Sequence, residues 1–202
     1  MIFCYKIINF ITIVYLNMSS DISSLNSLQK SDLHLILDMD QTLIDTDEKY
    51  NIFPRPYLKD FLNFCFEYFQ SVSIWTVASK EWFNEVNAKI LYPWKFKFVW
   101  CGRHTIKQPN YNSSFTATIN NSDNPIKNLK KIWRSFKDMT RENTFIVDDT
   151  ESTFSKNPGN GIIIPKFKYT NIDDNYLNKL REFFIINNGK KLRYMDKTNW
   201  YQ

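Results

Sequence analysis

Histidine and cysteine are scarce in this chain. The two histidines are His34 and His104, and the three cysteines are Cys4, Cys65 and Cys101. So few imidazoles argue against a histidine-built metal centre or a histidine-centred triad. The cysteines show no paired spacing, which leaves neither a zinc finger nor a disulfide framework and points to free thiols in a reducing compartment. Cys65 falls on the apolar face of an expected helix and reads as packing. A long apolar run is also missing. The stretch from Met1 to Leu16 is apolar but broken by Lys6 and Asn9, short of the ~20 residues that span a bilayer. It has no basic start and no small-residue cleavage site, so it does not read as a secretory signal. It is read as a non-spanning segment, with Met18 an alternative start. Residues 17–31 follow as a polar, serine-rich leader. There is no internal repeat and no sign of a second domain.

What is present suits one globular domain with a full core: 202 residues, 43% hydrophobic and 17% aromatic. The expected organisation is a leader over 1–31, a single folded domain over 32–188 and a tail over 189–202. The net charge is +5 and the pI about 9.0. Lys127, Lys130, Lys131, Arg134, Lys137 and Arg141 cluster. A basic surface of this kind attracts phosphorylated, acidic partners, although a solvated helix face accounts for the lysines beyond Lys127 equally well. Direct nucleic-acid binding is not expected, because the aromatics fall at core-like positions. A monomer is expected.

The chemistry is concentrated in four places. The run Leu35-Ile36-Leu37-Asp38-Met39-Asp40-Gln41-Thr42 carries an apolar strand into two carboxylates and a hydroxyl. Open α/β sheets place ligands at that end of a strand. One aspartate there can attack phosphorus and the other can handle a proton. Ser73-Ile74-Trp75-Thr76 is a second apolar strand, ending in a hydroxyl. Lys127 opens an expected helical pattern. Phe145-Ile146-Val147-Asp148-Asp149 ends in paired carboxylates. Taken singly, Thr76 and Lys127 read as ordinary, and Asp148-Asp149 as a cap. Together they supply a nucleophile, a metal cage and a cation for phosphate oxygens.

The D-x-D-x-T pattern and the elements that follow it resemble aspartate-nucleophile phosphatases of the haloacid-dehalogenase superfamily. Arg55-Pro56-Tyr57-Leu58-Lys59-Asp60-Phe61-Leu62 is similar to the R-P-x-x-x-x-F-L segment of the FCP/SCP family, which dephosphorylates the C-terminal domain of RNA polymerase II. The run from Asp148 to Gly161 is similar to that family's D-D-x-x-x-x-F-x-x-N-P-x-N-G stretch. The Lys127-Asn128-Leu129 and Ile132-Trp133 pairing looks closest to the ubiquitin-like-domain-containing CTD phosphatases, though no ubiquitin-like domain is visible. The resemblance covers Leu33 to Phe184. Gln41 stands where an acidic residue is common, at a position expected to alternate away from the site. Arg103 to Asn124 matches poorly, where the family carries a substrate-engaging insertion.

This resemblance implies a Mg²⁺-dependent protein serine/threonine phosphatase. Asp38 would be the nucleophile and Asp40 the acid and base. Thr42, Thr76 and Lys127 would hold phosphate. Asp38, Asp148, Asp149 and the Asp40 carbonyl would hold the metal, with Asp149 the first choice from the pair. The partner would be a phosphoserine or phosphothreonine protein, with the polymerase C-terminal domain a candidate, in the nucleus or cytoplasm. An inactive scaffold of the same fold and a small-molecule phosphatase are the rivals. The implied fold is α/β: a Rossmann-like parallel sheet of the haloacid-dehalogenase type, helices on both faces, with a small β insertion between the second and third motifs. Strands are expected over 33–37, 72–75, 96–100, 145–147 and 161–165. Helices are expected after Pro56, over 80–91 behind Ser79, over 126–136, and after Asp173 or Asp174. The span from Asp45 to Thr76 is expected to hold a loop and one helix, too little for a large lid.

Overall fold

The computed structural model describes residues 30–102, 125–191 and 194–201. Five short strands form one parallel sheet: β1 (His34–Leu37), β4 (Ser71–Trp75), β5 (Val99–Trp100), β6 (Thr144–Asp148) and β7 (Gly161–Ile163), in the order β5-β4-β1-β6-β7. A two-stranded antiparallel hairpin, β2 (Ile44–Thr46) and β3 (Ile52–Pro54), stands apart from it. The central strands β1 and β6 are buried along their whole length. Their near-continuous apolar sequence follows from cover on both faces.

Alternate residues of β1 feed two cores. Leu35 and Leu37 join a cluster with α1 (Leu58–Tyr68), α2 (Lys80–Val86) and α4 (Tyr176–Ile186). Ile36 joins Trp75, Ile146, Leu129 and Ile132 on the other side, beneath α3 (Lys130–Ser135). Helices therefore lie on both faces, as the sequence suggested. The cysteine expected to pack, Cys65, is fully buried in the first cluster.

Several boundaries differ from the sequence reading. The span after Asp45 is not a plain loop, because the β2–β3 hairpin occupies it. The helix expected over 80–91 begins on its Ser79 cap, whose side chain accepts from the Trp82 N–H at 3.1 Å, but widens to a π-helical turn over Asn87–Leu91. The helix expected from Ile126 starts only at Lys130. Lys127 donates its backbone N–H to the Thr153 carbonyl at 2.6 Å, in a segment that precedes the first helical turn. Gln41 is not in an extended segment: its φ of 59° turns the chain. The insertion expected over Arg103–Asn124 lies wholly outside the described residues. The end of the chain folds back, with the Trp200 indole donating to the Ile163 carbonyl at 3.0 Å. Among the described residues, no helix is long and apolar enough to cross a membrane.

Candidate active site

Strand register assembles the site. Leu37 of β1 pairs with Ile74 of β4 and Val147 of β6. The next residue on each strand, Asp38, Trp75 and Asp148, is therefore level, and Thr76 and Asp149 lie one step beyond. This is the carboxyl edge of the sheet, beside the central strand. The turn after Asp38 is closed by the Leu43 N–H on the Met39 carbonyl at 2.8 Å and the Gln41 N–H on the Ile44 carbonyl at 2.7 Å. That turn returns Asp40 and Thr42 to the same edge.

All seven residues singled out from the sequence lie at this edge, Asp40 and Thr76 as a hydrogen-bonded pair apart from the cluster around Lys127. Lys127 is 1% exposed, although it belongs to a run of otherwise largely solvated basic residues. Its Nζ donates to Asp38 Oδ1 and to Asp148 Oδ2, the latter at 2.7 Å. Thr42 Oγ1 donates to Asp149 Oδ1 at 3.3 Å. Thr76 Oγ1 donates to Asp40 Oδ2 at 3.2 Å and accepts from the Ala78 N–H at 3.0 Å. Burial pushes the Asp38 carboxyl up to about 7, with Asp148 and Asp149 adding to the rise and Lys127 opposing it. Burial alone would pull Lys127 down, but Asp38 and Asp148 outweigh it and hold its ammonium above the ordinary lysine value.

Asp38, Asp148 and Asp149 each present a carboxylate oxygen, all within 4.8 Å of one another. Three carboxylates face one buried lysine, so negative charge is left over. An all-oxygen donor set of this kind fits a hard divalent cation such as Mg²⁺ and suits zinc poorly. The Asp40 carboxylate stands outside this cluster, held instead by Thr76.

Several residues at the site were not anticipated. The Trp82 indole N–H donates to Asp40 Oδ1 at 2.8 Å. Lys166 Nζ lies 3.4 Å from Asp149 Oδ2 and 3.3 Å from Gln41 Oε1. Thr150 braces the acidic pair, donating from its hydroxyl to Asp149 Oδ2 at 3.1 Å and from its N–H to Asp148 Oδ1 at 2.9 Å. Arg55 is buried and donates to the Thr42 carbonyl at 3.0 Å and to both carboxylate oxygens of Asp174 at 2.8 and 2.9 Å. The N-P-x-N-G segment also has a structural task. Asn157 Oδ1 accepts from the Leu129 N–H at 2.9 Å, which fixes the segment carrying Lys127. Gly161 lies under the Phe154 ring, where an added Cβ would come within 2.1 Å of a ring carbon.

Comparison with known proteins identifies the family and the fold. The family described as NLI interacting factor-like phosphatase matches residues 33–192. The chain is 26% identical to ubiquitin-like domain-containing CTD phosphatase 1 of Drosophila melanogaster, over 82% of this chain and 55% of that protein. It is 28% identical to the protein of the same name in Danio rerio, over 74% and 48% respectively. The chain thus spans about half the length of the curated relatives it matches. Its fold is similar to that of the fission yeast RNA polymerase II CTD phosphatase Fcp1, the R271A form bound to beryllium fluoride. The TM-score is 0.50 at 17% identity, over 84% of this chain and 54% of that one. With a phosphatase family matching most of its length and an aspartate-lined site at the carboxyl edge of its sheet, the chain belongs to the NLI interacting factor-like phosphatase family.

Proposed function

We propose that this chain is a Mg²⁺-dependent protein serine/threonine phosphatase that works through an aspartyl-phosphate on Asp38. The observation behind the proposal is the meeting of Asp38, Asp40, Thr76, Lys127, Asp148 and Asp149 at one strand edge. In the first step an Asp38 oxygen bonds to phosphorus as the bond from phosphorus to the serine or threonine oxygen breaks. Asp40 gives its proton to that departing oxygen. In the second step a water oxygen bonds to phosphorus, the Asp38–phosphorus bond breaks, and the water's proton returns to Asp40. Lys127 and Thr76 take phosphate oxygens, and Thr42 orients the loop and the phosphate. Asp38, Asp148, Asp149 and the Asp40 carbonyl hold the metal. Bound there, Mg²⁺ neutralises phosphate charge that Lys127 alone does not offset.

The substrate is a phosphoprotein. Between Asp45 and Thr76 the chain has room only for a small hairpin and α1, so nothing there encloses a small molecule. The two relatives are named CTD phosphatases and the fission yeast neighbour an RNA polymerase II CTD phosphatase, which makes that domain the first peptide to try. Residues 32–188 are the catalytic unit in this reading, and the protein acts in a reducing, intracellular compartment.

The test compares wild type with Asp38→Asn on phosphoserine peptides and on sugar phosphates, with and without EDTA. Peptide turnover that needs Mg²⁺, a hydroxylamine-sensitive phosphoenzyme, and no turnover by a folded Asp38→Asn variant are expected. Substantial turnover by that variant, or preference for sugar phosphates, would refute the reading.

A further inference from the structure

We infer that Trp82 is a positioning residue for the proton transfer at Asp40, and that it leaves Oδ2 as the oxygen that carries the proton. This rests on the role given to Asp40 above. Both oxygens of the Asp40 carboxylate are held by neutral donors. Thr76 Oγ1 reaches Oδ2 at 3.2 Å, and the Trp82 indole N–H reaches Oδ1 at 2.8 Å.

The two donors are not equivalent. A hydroxyl donates and accepts, and it rotates freely about its C–O bond. An indole N–H can only donate, along a direction fixed by the ring. Thr76 Oγ1 already accepts the Ala78 N–H, so its proton can turn from Asp40 to a phosphate oxygen while the hydroxyl stays in place. When it does so, Oδ2 is released to carry a proton and Oδ1 remains tied to Trp82. The aspartate keeps its rotamer through the exchange of partners.

The fold gives Trp82 this reach. Ser79 caps α2 through the Trp82 backbone N–H at 3.1 Å, which fixes the first turn against the end of β4. Side chains of a helix lean toward its N-terminus, so the first-turn indole leans back toward Thr76. The ring is half-buried and rests against the main core, which holds its plane.

A series of phosphate monoesters of increasing leaving-group pKa, from p-nitrophenyl phosphate to a phosphoserine peptide, separates positioning from general damage. The value of kcat/KM reports the chemistry up to formation of the phosphoenzyme. In Trp82→Phe it should fall about 10–100-fold for the phosphoserine peptide, whose leaving oxygen needs the proton, and by less than about 3-fold for p-nitrophenyl phosphate. The plot of log kcat/KM against leaving-group pKa therefore steepens. A purely structural role would lower every substrate by one factor and leave the slope alone. If Trp82→Phe melts early, benzothienylalanine at position 82 keeps the ring volume and removes only the N–H. An unchanged slope in either folded variant overturns the role of Trp82 while leaving the phosphatase reading intact. Absence of turnover by wild type on every ester would instead remove that reading, and this inference with it.

Discussion

Lys127 illustrates how much a single side chain depends on its surroundings. In the sequence it is the first of several basic residues, yet it is buried between Asp38 and Asp148 while Lys130 is exposed. Lys127→Ala leaves these carboxylates without their buried cation and, in the proposed mechanism, removes a charge-assisted contact to phosphate. A loss of about 2.7–4 kcal/mol of transition-state stabilisation, or about 10²–10³ in kcat/KM, is expected. Lys130→Ala and Lys131→Ala should change kcat/KM far less, since charges away from the site act by screened attraction. Equal, small effects for all three variants would mean that Lys127 has no part in the chemistry. The residues carrying carboxylates were legible because an apolar run ending in aspartate is an unusual string. Trp82 was not. Nothing in the sequence separates one first-turn tryptophan from others used for packing, and its partner Asp40 lies 42 positions away.

At the scale of elements, the link between the β2–β3 hairpin and the last helix is decisive. Arg55 directly follows β3, and Asp174 stands just before α4, where its Oδ1 also accepts the Tyr176 N–H at 3.2 Å. The Arg55–Asp174 pair is almost fully buried, and Arg55 also donates to the Pro165 carbonyl at 2.7 Å. Arg55→Met should destabilise the fold by about 3–5 kcal/mol in urea denaturation, because Asp174 is left buried without its partner. Arg55→Met with Asp174→Leu should recover a large part of that loss. A double variant as unstable as the sum of the two single ones would show that the pair is not coupled. The R-P block was legible as a family pattern, but the ion pair was not, since 119 positions separate its members. The late start of α3 has a similar origin. The Thr153 carbonyl and Asn157 Oδ1 accept the backbone N–H groups of Lys127 and Leu129 and hold this segment ahead of the helix.

Across the whole molecule the sheet separates two polar regions. The site occupies the carboxyl edge, and His34 opens β1 at the opposite edge. The His34 ring lies between Ser71 Oγ at 2.7 Å and the Asp138 carbonyl at 3.1 Å. The carbonyl can only accept, so Nε2 carries the hydrogen and Nδ1 accepts from the serine. Lys97, Asp138 and Asp32 are the charged groups around it. Burial lowers the His34 pKa below 6.5, and Lys97 adds to the fall against Asp138 and Asp32. The unfolded chain therefore binds this proton more readily than the folded one. The associated stability is complete above pH 6.5 and is lost as pH falls below it toward the lower folded value. Asp138, which its bond to Lys97 holds below 3.8, contributes only at more acid pH. Urea midpoints between pH 8 and pH 5 should fall more steeply for wild type than for His34→Gln. Parallel curves would show that His34 is not the group responsible.

The sequence by itself determined the phosphatase family and the class of fold. Alternating helical and apolar runs imply a parallel sheet, and runs ending in Asp38, Thr76 and Asp148 mark the edge that carries the candidate site, because these signals are local. Tertiary structure alone decided how the groups are paired. Register brought Asp38 level with Asp148, the turn at Gln41 carried Asp40 back to Thr76, and the cap of α2 aimed Trp82 at the same carboxylate. These are contacts between residues far apart in the chain, set by strand pairing and packing, and no local pattern records them.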